Sequence, residues 1–338
     1  MKPRSGAHVA VAGAGALGST VALRLARLGF GVTVFDPAPL GANASGVAAG
    51  MLAPMSEALF DPSSREHLDL MRRARDLWPD FALALGIELS RSGVRVEGRP
   101  AWRDEVLARM RALGAPQATF IAEDWRLDAR QALTTLRAAA EKAGAVFEAV
   151  AVESFEPGAL RLADGRTEPF DVLVLATGPG ALDGALAPET NHLSPIKGQI
   201  LRAPYEGGAD RPVIRGEGVY LAPGASLAIG ATMEHGRDDL APDPEATRPL
   251  CDAAKVLRPD LDLEAAEIDV GVRVTTPDGL PLVGWSRKPG VLLAAGARRN
   301  GWLFAPLVAD LVAAYLTGDN LGSDAEAMNA RRFEASQT

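Results

Sequence analysis

The chain has 338 residues, of which 47% are hydrophobic and 23% are charged, and its formal net charge is −8. This length suits two packed domains better than a single core. The acidic balance argues against nucleic acid or an anionic membrane as a partner, since both require a concentrated basic patch. Because no window holds about 18 uninterrupted apolar residues, we expect no transmembrane helix.

The few cysteines and histidines limit the chemistry further. Cys251 is the single cysteine, so no internal disulfide can form, as is usual in a reducing compartment. Residues 1–8 carry two positive charges without the apolar run of a signal peptide behind them, and we therefore expect a cytoplasmic protein. The four histidines show no metal-ligand spacing, so no metal is expected. No GxSxG nucleophile motif is present.

The first predicted elements form a βαβ unit. Residues 8–12 are typical of a buried parallel strand, and a glycine-rich turn follows them. An alanine-rich helix is predicted over residues 17–28, ended by Gly29, and a second strand over residues 32–35.

The remaining elements alternate between helices and strands. Helices are predicted over residues 61–85, 128–143, 242–257 and 302–316. Strands are predicted near residues 151–155, 160–163, 172–176, 266–275 and 290–295. Short alternating strands over residues 197–230 are typical of an antiparallel sheet with one wet face. This order predicts a cofactor domain that is interrupted by an inserted substrate domain.

The glycine-rich turn indicates a dinucleotide site. Its residues run Gly13-Ala14-Gly15-Ala16-Leu17-Gly18. Gly13 permits the tight turn, Gly15 lets the backbone approach a pyrophosphate, and Gly18 lets helix and strand pack closely. The helix N-terminus offers free N–H groups to phosphates. Asp36 ends the second strand, where it can accept hydrogen bonds from the adenosine ribose, which disfavours NADP.

A segment of small residues follows, from Ala44 to Pro54. It would let the backbone lie against a flat ring system or an extended ribityl-pyrophosphate chain, or it is simply a tightly packed helix. Ser45 either caps a helix or binds a phosphate.

Six motifs in chain order carry a resemblance to a known family. They are GAGALG (13–18), ASGVAAGMLAP (44–54), PIKGQ (195–199), YLAP…GAT (220–232), RVTTPDGLPLVG (273–284) and GARRNGWLFAP (296–306). Taken together they resemble the D-amino-acid oxidase superfamily of flavoproteins, and within it most closely the glycine oxidases of thiamine biosynthesis.

The resemblance implies an α/β fold, with a Rossmann-type FAD-binding domain and an inserted antiparallel-sheet substrate domain. We expect residues 1–85, 128–185 and 278–338 in the discontinuous FAD-binding domain, and residues 86–127 and 186–277 in the substrate-binding domain. The FAD would be noncovalent, since no cysteine precedes the TPD segment and Cys251 lies in a predicted helix.

The resemblance also implies the reaction: oxidative deamination of glycine, sarcosine or a small D-amino acid by hydride transfer to flavin, with O2 as acceptor and H2O2 as product. One alternative is a dehydrogenase of the same fold that passes electrons to a quinone or a partner protein. A second is a flavin-binding protein without turnover, and a third is a nicotinamide enzyme. The resemblance further suggests a homo-oligomer.

By resemblance, several segments contact the FAD. Val152 would contact the adenine, Gly178 would meet the cofactor at a strand end, and the 299–301 turn would approach the flavin pyrimidine edge. The helix beginning near Trp302 would direct its positive end at the flavin. The predicted cofactor residues are Gly13, Ala14, Gly15, Leu17, Gly18, Asp36, Ala44, Ser45, Ala49, Gly50, Met51, Val152, Gly178, Arg299, Asn300, Gly301 and Trp302.

Four residues are predicted at the substrate. Arg273 lies in an otherwise apolar strand, either on a wet face or as the bidentate fork that a carboxylate needs. By resemblance it is the carboxylate-binding arginine, Tyr220 assists it, and Met233 lines the side-chain pocket. Arg299 is a secondary candidate for the amine side. Arg298 stands where many relatives have an aromatic residue or a histidine, and it would add a cation at the mouth of the flavin site.

Overall fold

A computed structural model describes residues 6–182 and 184–334. The predicted ends of the FAD-binding domain, residues 1–5 and 335–338, lie outside the described residues. So do most of the N-terminal residues on which the expected absence of a signal peptide depends.

The described residues form short strands and helices throughout. The strands are β1 His8–Ala12, β2 Gly31–Phe35, β3 Met51–Leu52, β4 Leu89–Ser90, β5 Val94–Val96, β6 Phe120–Ile121, β7 Trp125–Leu127, β8 Val146–Glu148, β9 Val152–Glu156, β10 Ala159–Leu162, β11 Thr167–Glu168, β12 Val172–Leu175, β13 Ser194–Ala203, β14 Val213–Gly216, β15 Val219–Ala222, β16 Leu227–Gly230, β17 Glu234–His235, β18 Glu267–Thr275, β19 Leu282–Trp285 and β20 Val291–Ala295. The α-helices are α1 Ala16–Arg27, α2 Ala44–Val47, α3 Pro54–Phe60, α4 Leu68–Asp76, α5 Trp78–Leu83, α6 Pro100–Ala112, α7 Ala129–Lys142, α8 Pro244–Leu257, α9 Gly301–Thr317 and α10 Gly322–Ala327.

A six-stranded sheet forms the first layer, in the order β19-β20-β12-β1-β2-β8. Its strands run parallel except for β19, which pairs antiparallel with β20. Strands β1, β12 and β20 are almost continuously apolar and buried, as expected where both faces of a parallel sheet are covered. Helix α1 packs against α7 and α9 on this sheet. The predicted βαβ unit is confirmed.

An eight-stranded sheet forms the second layer, in the order β17-β13-β16-β15-β14-β5-β6, with β18 paired to the other side of β13. Most of its pairs are antiparallel. Alternate side chains divide its two faces. Val219, Leu221 and Ile229 pack with α8 residues in one apolar cluster, whereas Val213 and Tyr220 line a cavity on the opposite face. Cys251 packs in the α8 cluster, away from that cavity.

Strand β7 joins β3 and β4 in a small sheet, and β9, β10 and β11 form another. The strands of the large sheets fall within the sequence ranges predicted for the two domains, but the domain boundaries themselves stay a prediction. Within the described ranges, no helix is long and apolar enough to cross a membrane.

The single helix predicted over residues 61–85 is wrong. The segment is a 3₁₀ turn at Pro62–His67, then α4, then α5. Pro62 and Pro79 stand in the first turns of two of these pieces, because a proline lacks the N–H that a helix interior needs. Asp61 begins the segment by accepting the N–H of Ser63.

Candidate active site

Two cavities meet between the sheets. The first, which we call the groove, runs from the glycine-rich turn to the start of α9. The second, which we call the inner cavity, lies against the eight-stranded sheet. The residues that line both are Ala48, Arg273, Arg299 and Trp302. A ligand that fills the groove would therefore touch a ligand in the inner cavity along this boundary.

The glycine-rich turn packs closely against neighbouring backbone and is held by two side chains from outside it. Gly13 has φ of +104°, and a Cβ there or on Gly18 would collide with backbone atoms. Asp36 accepts the Ala14 N–H at 2.7 Å, and Ser45 Oγ accepts the Ala16 N–H at 2.9 Å. Ser45 therefore caps a helix, but that helix is the neighbouring α1. Its own helix α2 is capped by Asn43.

The start of α9 is fixed by two tryptophans. Pro306 has no N–H, so the carbonyl of Trp302 one turn earlier lacks its helical donor. The indole N–H of Trp78 donates to that carbonyl at 3.0 Å, which replaces the missing bond. The indole of Trp302 donates in turn to the carbonyl of Ser45 at 3.0 Å. The N-terminus of α9 and the small-residue segment are thus held together at the groove.

Two glycines make room for Arg273 and Tyr220. A Cβ on Gly198 would occupy the position of the Arg273 guanidinium, and a Cβ on Gly230 would occupy that of the Tyr220 hydroxyl. Tyr220 and Gly230 face each other across β15 and β16. These glycines belong to the KGQ and GAT motifs, so the motifs hold open the space that the two polar side chains use.

Arg273 forms no ion pair with a described carboxylate. Its guanidinium contacts the Thr232 carbonyl at 3.4 Å and Met233 Sδ at 3.3 Å, and no described carboxylate lies within 4 Å of it. Burial and the charge of Arg299 lower its pKa, but an arginine stays cationic at neutral pH. Burial raises the pKa of the Tyr220 hydroxyl, which therefore remains a neutral donor.

Arg299 is paired through its side chain. Its guanidinium donates to Glu57 at 2.6 Å and lies 3.5 Å from Asp61. Arg298 also pairs with Asp61 and donates to Ser63. The extra cation predicted from Arg298 is therefore compensated, and it is not a free charge at the flavin site.

The predicted site residues divide between the two cavities. The groove is lined by Gly13, Gly15, Leu17, Asp36, Ala44, Ser45, Gly178, Arg299, Gly301 and Trp302. The inner cavity is lined by Ala49, Gly50, Met51, Tyr220, Met233, Arg273 and Arg299. The lining of these cavities does not include Ala14, Gly18, Val152 or Asn300. Their contact with a cofactor stays a prediction.

The sequence did not indicate a site role for Glu57 or Arg215, which also line the inner cavity. It also missed Asp124, which accepts the Met55 and Ser56 N–H groups and so fixes the start of α3, the helix that carries Glu57. A signal for Arg215 was available. Strands β14 and β15 are joined by a two-residue turn that ends in Gly218. A hairpin of this kind pairs Arg215 with Tyr220, a residue already predicted at the substrate.

The groove suits FAD. It joins a glycine-rich turn, a helix N-terminus and an acidic residue at a strand end, as a dinucleotide requires. It then continues to the N-terminus of α9, where a second, flat moiety would lie beside the inner cavity.

Comparisons with known proteins agree with this geometry. A family model described as FAD dependent oxidoreductase matches residues 8–315. Glycine oxidase of Geobacillus kaustophilus is 30% identical, with 90% of this chain and 91% of that protein covered. The bifunctional protein ThiO/ThiG of Trichormus variabilis is 29% identical over 91% of this chain, which spans about half (52%) of that protein. The crystal structure of the Geobacillus kaustophilus glycine oxidase matches with a TM-score of 0.80 and 25% identity, covering 97% of this chain and all of that one.

Proposed function

The chain belongs to the family of FAD dependent oxidoreductases, and from that premise we propose that it oxidatively deaminates a small amino acid. The resemblance, the predicted α/β fold and the FAD cofactor are confirmed by the match and by the solved glycine oxidase structure. The substrate, the electron acceptor and a role in thiamine biosynthesis are parts of the proposal.

One observation carries the proposal. Arg273 presents a guanidinium without a carboxylate partner at the boundary of the groove and the inner cavity. A buried cation that no protein group neutralises is costly unless a ligand supplies the anion. The carboxylate of an amino acid would supply it, and two parallel N–H donors would fix its orientation.

The other side chains support that placement. The neutral Tyr220 hydroxyl can donate to the same carboxylate, because burial keeps it protonated. Met233 Sδ contacts Arg273 and would limit the room for a substrate side chain. Glu57 holds the Arg299 guanidinium, which leaves the backbone carbonyl of Arg299 as the group that would accept from the amine.

FAD, when bound noncovalently in the groove, supplies the two-electron acceptor that an amino-acid oxidation requires. Gly13, Gly15, Asp36 and the N-terminus of α1 would hold its adenosine and phosphates. The N-terminus of α9 would face its ring. The protein's share of the catalysis is to bind and orient the substrate and to exclude water, so geometry contributes most.

The balanced reaction converts amino acid, O2 and water to oxo acid, ammonia and hydrogen peroxide. The substrate loses the hydrogen at Cα and one at nitrogen, and water hydrolyses the resulting C=N bond. A steady-state assay would measure peroxide and the released amine, which is ammonia from glycine or D-alanine and methylamine from sarcosine. We expect equal amounts of both products from at least one amine. Amine release that requires an added electron-accepting dye and forms no peroxide would remove O2 as acceptor and favour the dehydrogenase alternative.

A further inference from the structure

A third arginine, Arg215, lines the inner cavity from β14. Val213 and Arg215 alternate with Ile214, so they lie on the cavity side of the sheet, whereas Ile214 packs with the α8 cluster. The Arg215 guanidinium lies 4.4 Å from the centroid of the Phe60 ring and 5.9 Å from that of Tyr220. The two aromatic rings thus support the guanidinium over the cavity.

Arg215 has no anionic partner. No described carboxylate lies within 4 Å of its guanidinium, and its Nε is buried without a hydrogen bond. Burial lowers its pKa to about 10, which still leaves it charged at neutral pH. Four other largely buried arginines do have carboxylate partners: Arg75 with Asp76 and Glu123, Arg202 with Asp269, Arg298 with Asp61, and Arg332 with Asp278.

The charges of the inner cavity do not balance. Arg215, Arg273 and Arg299 line it with one carboxylate, Glu57, and that carboxylate is bound to Arg299. Two cations therefore remain without a protein partner. The α-carboxylate of an ordinary amino acid would neutralise Arg273 only.

FAD does not account for Arg215. The groove that suits the cofactor is lined by Arg273 and Arg299, whereas Arg215 lines the inner cavity alone. Arg126 also has a buried Nε without a partner, but its guanidinium donates to the Ala209 carbonyl and lines a separate cleft. Besides Arg273, Arg215 is thus a second cation that faces the substrate space without a described carboxylate.

Resting on the proposed function, we propose that the preferred substrate is an amino acid with a second carboxylate, which Arg215 binds while Arg273 binds the first. Both D-amino dicarboxylic acids and glycines with a carboxyalkyl group on nitrogen meet this requirement. Opposite charges then meet at both ends of the substrate, and neither arginine remains unpaired.

The test uses ligands that lack an amine, so that binding is measured apart from oxidation. Malonate, succinate and glutarate are titrated into the FAD-containing protein and compared with acetate, propionate and butyrate. Dissociation constants are read from the change in the visible absorbance of the flavin. The same titrations are made with Arg215→Met and Arg215→Lys.

We expect one dicarboxylate to bind at least about 30-fold more tightly than the monocarboxylate of the same length, as pairing of a buried charge implies. Arg215→Met should abolish that preference, whereas Arg215→Lys should keep part of it. Dicarboxylates that bind no better than monocarboxylates would overturn the proposal, and this comparison needs only the wild-type protein. A preference that survives in Arg215→Met would also overturn it.

Oxidation is measured separately, with D-aspartate and D-glutamate against their amides D-asparagine and D-glutamine. The expected result is at least about tenfold higher kcat/KM for an acid than for its amide, lost in Arg215→Met. Equal kcat/KM values for acid and amide would refute D-amino dicarboxylic acids as the preferred substrates while leaving amino-acid oxidation intact. If the dicarboxylate preference is present but no amine is oxidised, the proposed function fails and the second anion site stands.

Discussion

Replacing Arg273 should separate substrate binding from protein stability. The guanidinium contacts only the Thr232 carbonyl and Met233 Sδ, at 3.4 and 3.3 Å. No described carboxylate would be left unpaired in Arg273→Met, and the cost of burying the cation disappears. We therefore expect the melting temperature and the FAD content of the variant to equal or exceed those of the wild type.

The variant should instead lose affinity for the substrate. Removing one partner of a buried, hydrogen-bonded charge pair costs about 2–5 kcal/mol. At about 1.4 kcal/mol per tenfold, kcat/KM should fall roughly 30-fold to several thousand-fold, mostly through a higher KM. Arg273→Lys keeps the charge without the fork and should lose less.

The assay is steady-state turnover over a range of amino-acid concentrations, with the FAD content taken from the visible absorbance of each preparation. A kcat/KM within about threefold of the wild type would remove Arg273 from the substrate site. A variant that loses FAD and stability in parallel with activity would also refute the reasoning, because the structure gives Arg273 no partner whose loss would unfold the protein.

Gly198→Ala places a methyl group where the Arg273 guanidinium lies. It should lower kcat/KM about tenfold or more, with little added effect in the Arg273→Met background; additive losses would contradict this contact. Glu57→Gln removes the carboxylate that pairs with Arg299 at 2.6 Å. We expect a loss of about 1–3 kcal/mol in the free energy of unfolding by denaturant, allowing for partial exposure, and an unchanged value would show that the pair is not stabilising. Burial raises the pKa of Asp124 to about 7, above its unfolded value of 3.8. Its contribution to stability is therefore present below about pH 4 and is lost as the pH rises through 7. We would measure the difference in melting temperature between the wild type and Asp124→Asn, which should decrease as the pH rises from 5 to 7.5. A difference that increases with pH would mean that the pKa of Asp124 is lowered instead of raised.

The sequence predicted the parts of this fold that depend on local pattern. The strand at residues 8–12, the glycine turn and the following helix could be predicted together, because each begins within a few residues of the end of the one before it. The strand Val172–Leu175 could likewise be predicted from its continuous apolar run, and the helix Ala129–Lys142 from its amphipathic pattern. The break of the 61–85 segment was not, although Pro62 and Pro79 gave a reason to expect it.

The candidate site was predicted mainly by resemblance. Arg273 in an apolar strand fits either a wet face or a carboxylate site, and pattern alone does not separate these. Arg299 pairs with Glu57, which lies 242 positions earlier in the chain. The pattern of neighbouring residues cannot predict a contact over such a separation. Arg215 had the appearance of an ordinary alternating strand residue. Only the fold shows that its face is a cavity and that its charge is unpaired.

The most direct test of the account is the visible spectrum of the purified protein under anaerobic conditions. Glycine, sarcosine, D-alanine, D-aspartate and iminodiacetate would be added separately, followed by air, with dithionite as the control for reducible flavin. We expect at least one amine to bleach the flavin absorbance and air to restore it rapidly. A flavin that dithionite bleaches and none of these amines does would contradict the proposed oxidation of a small amino acid.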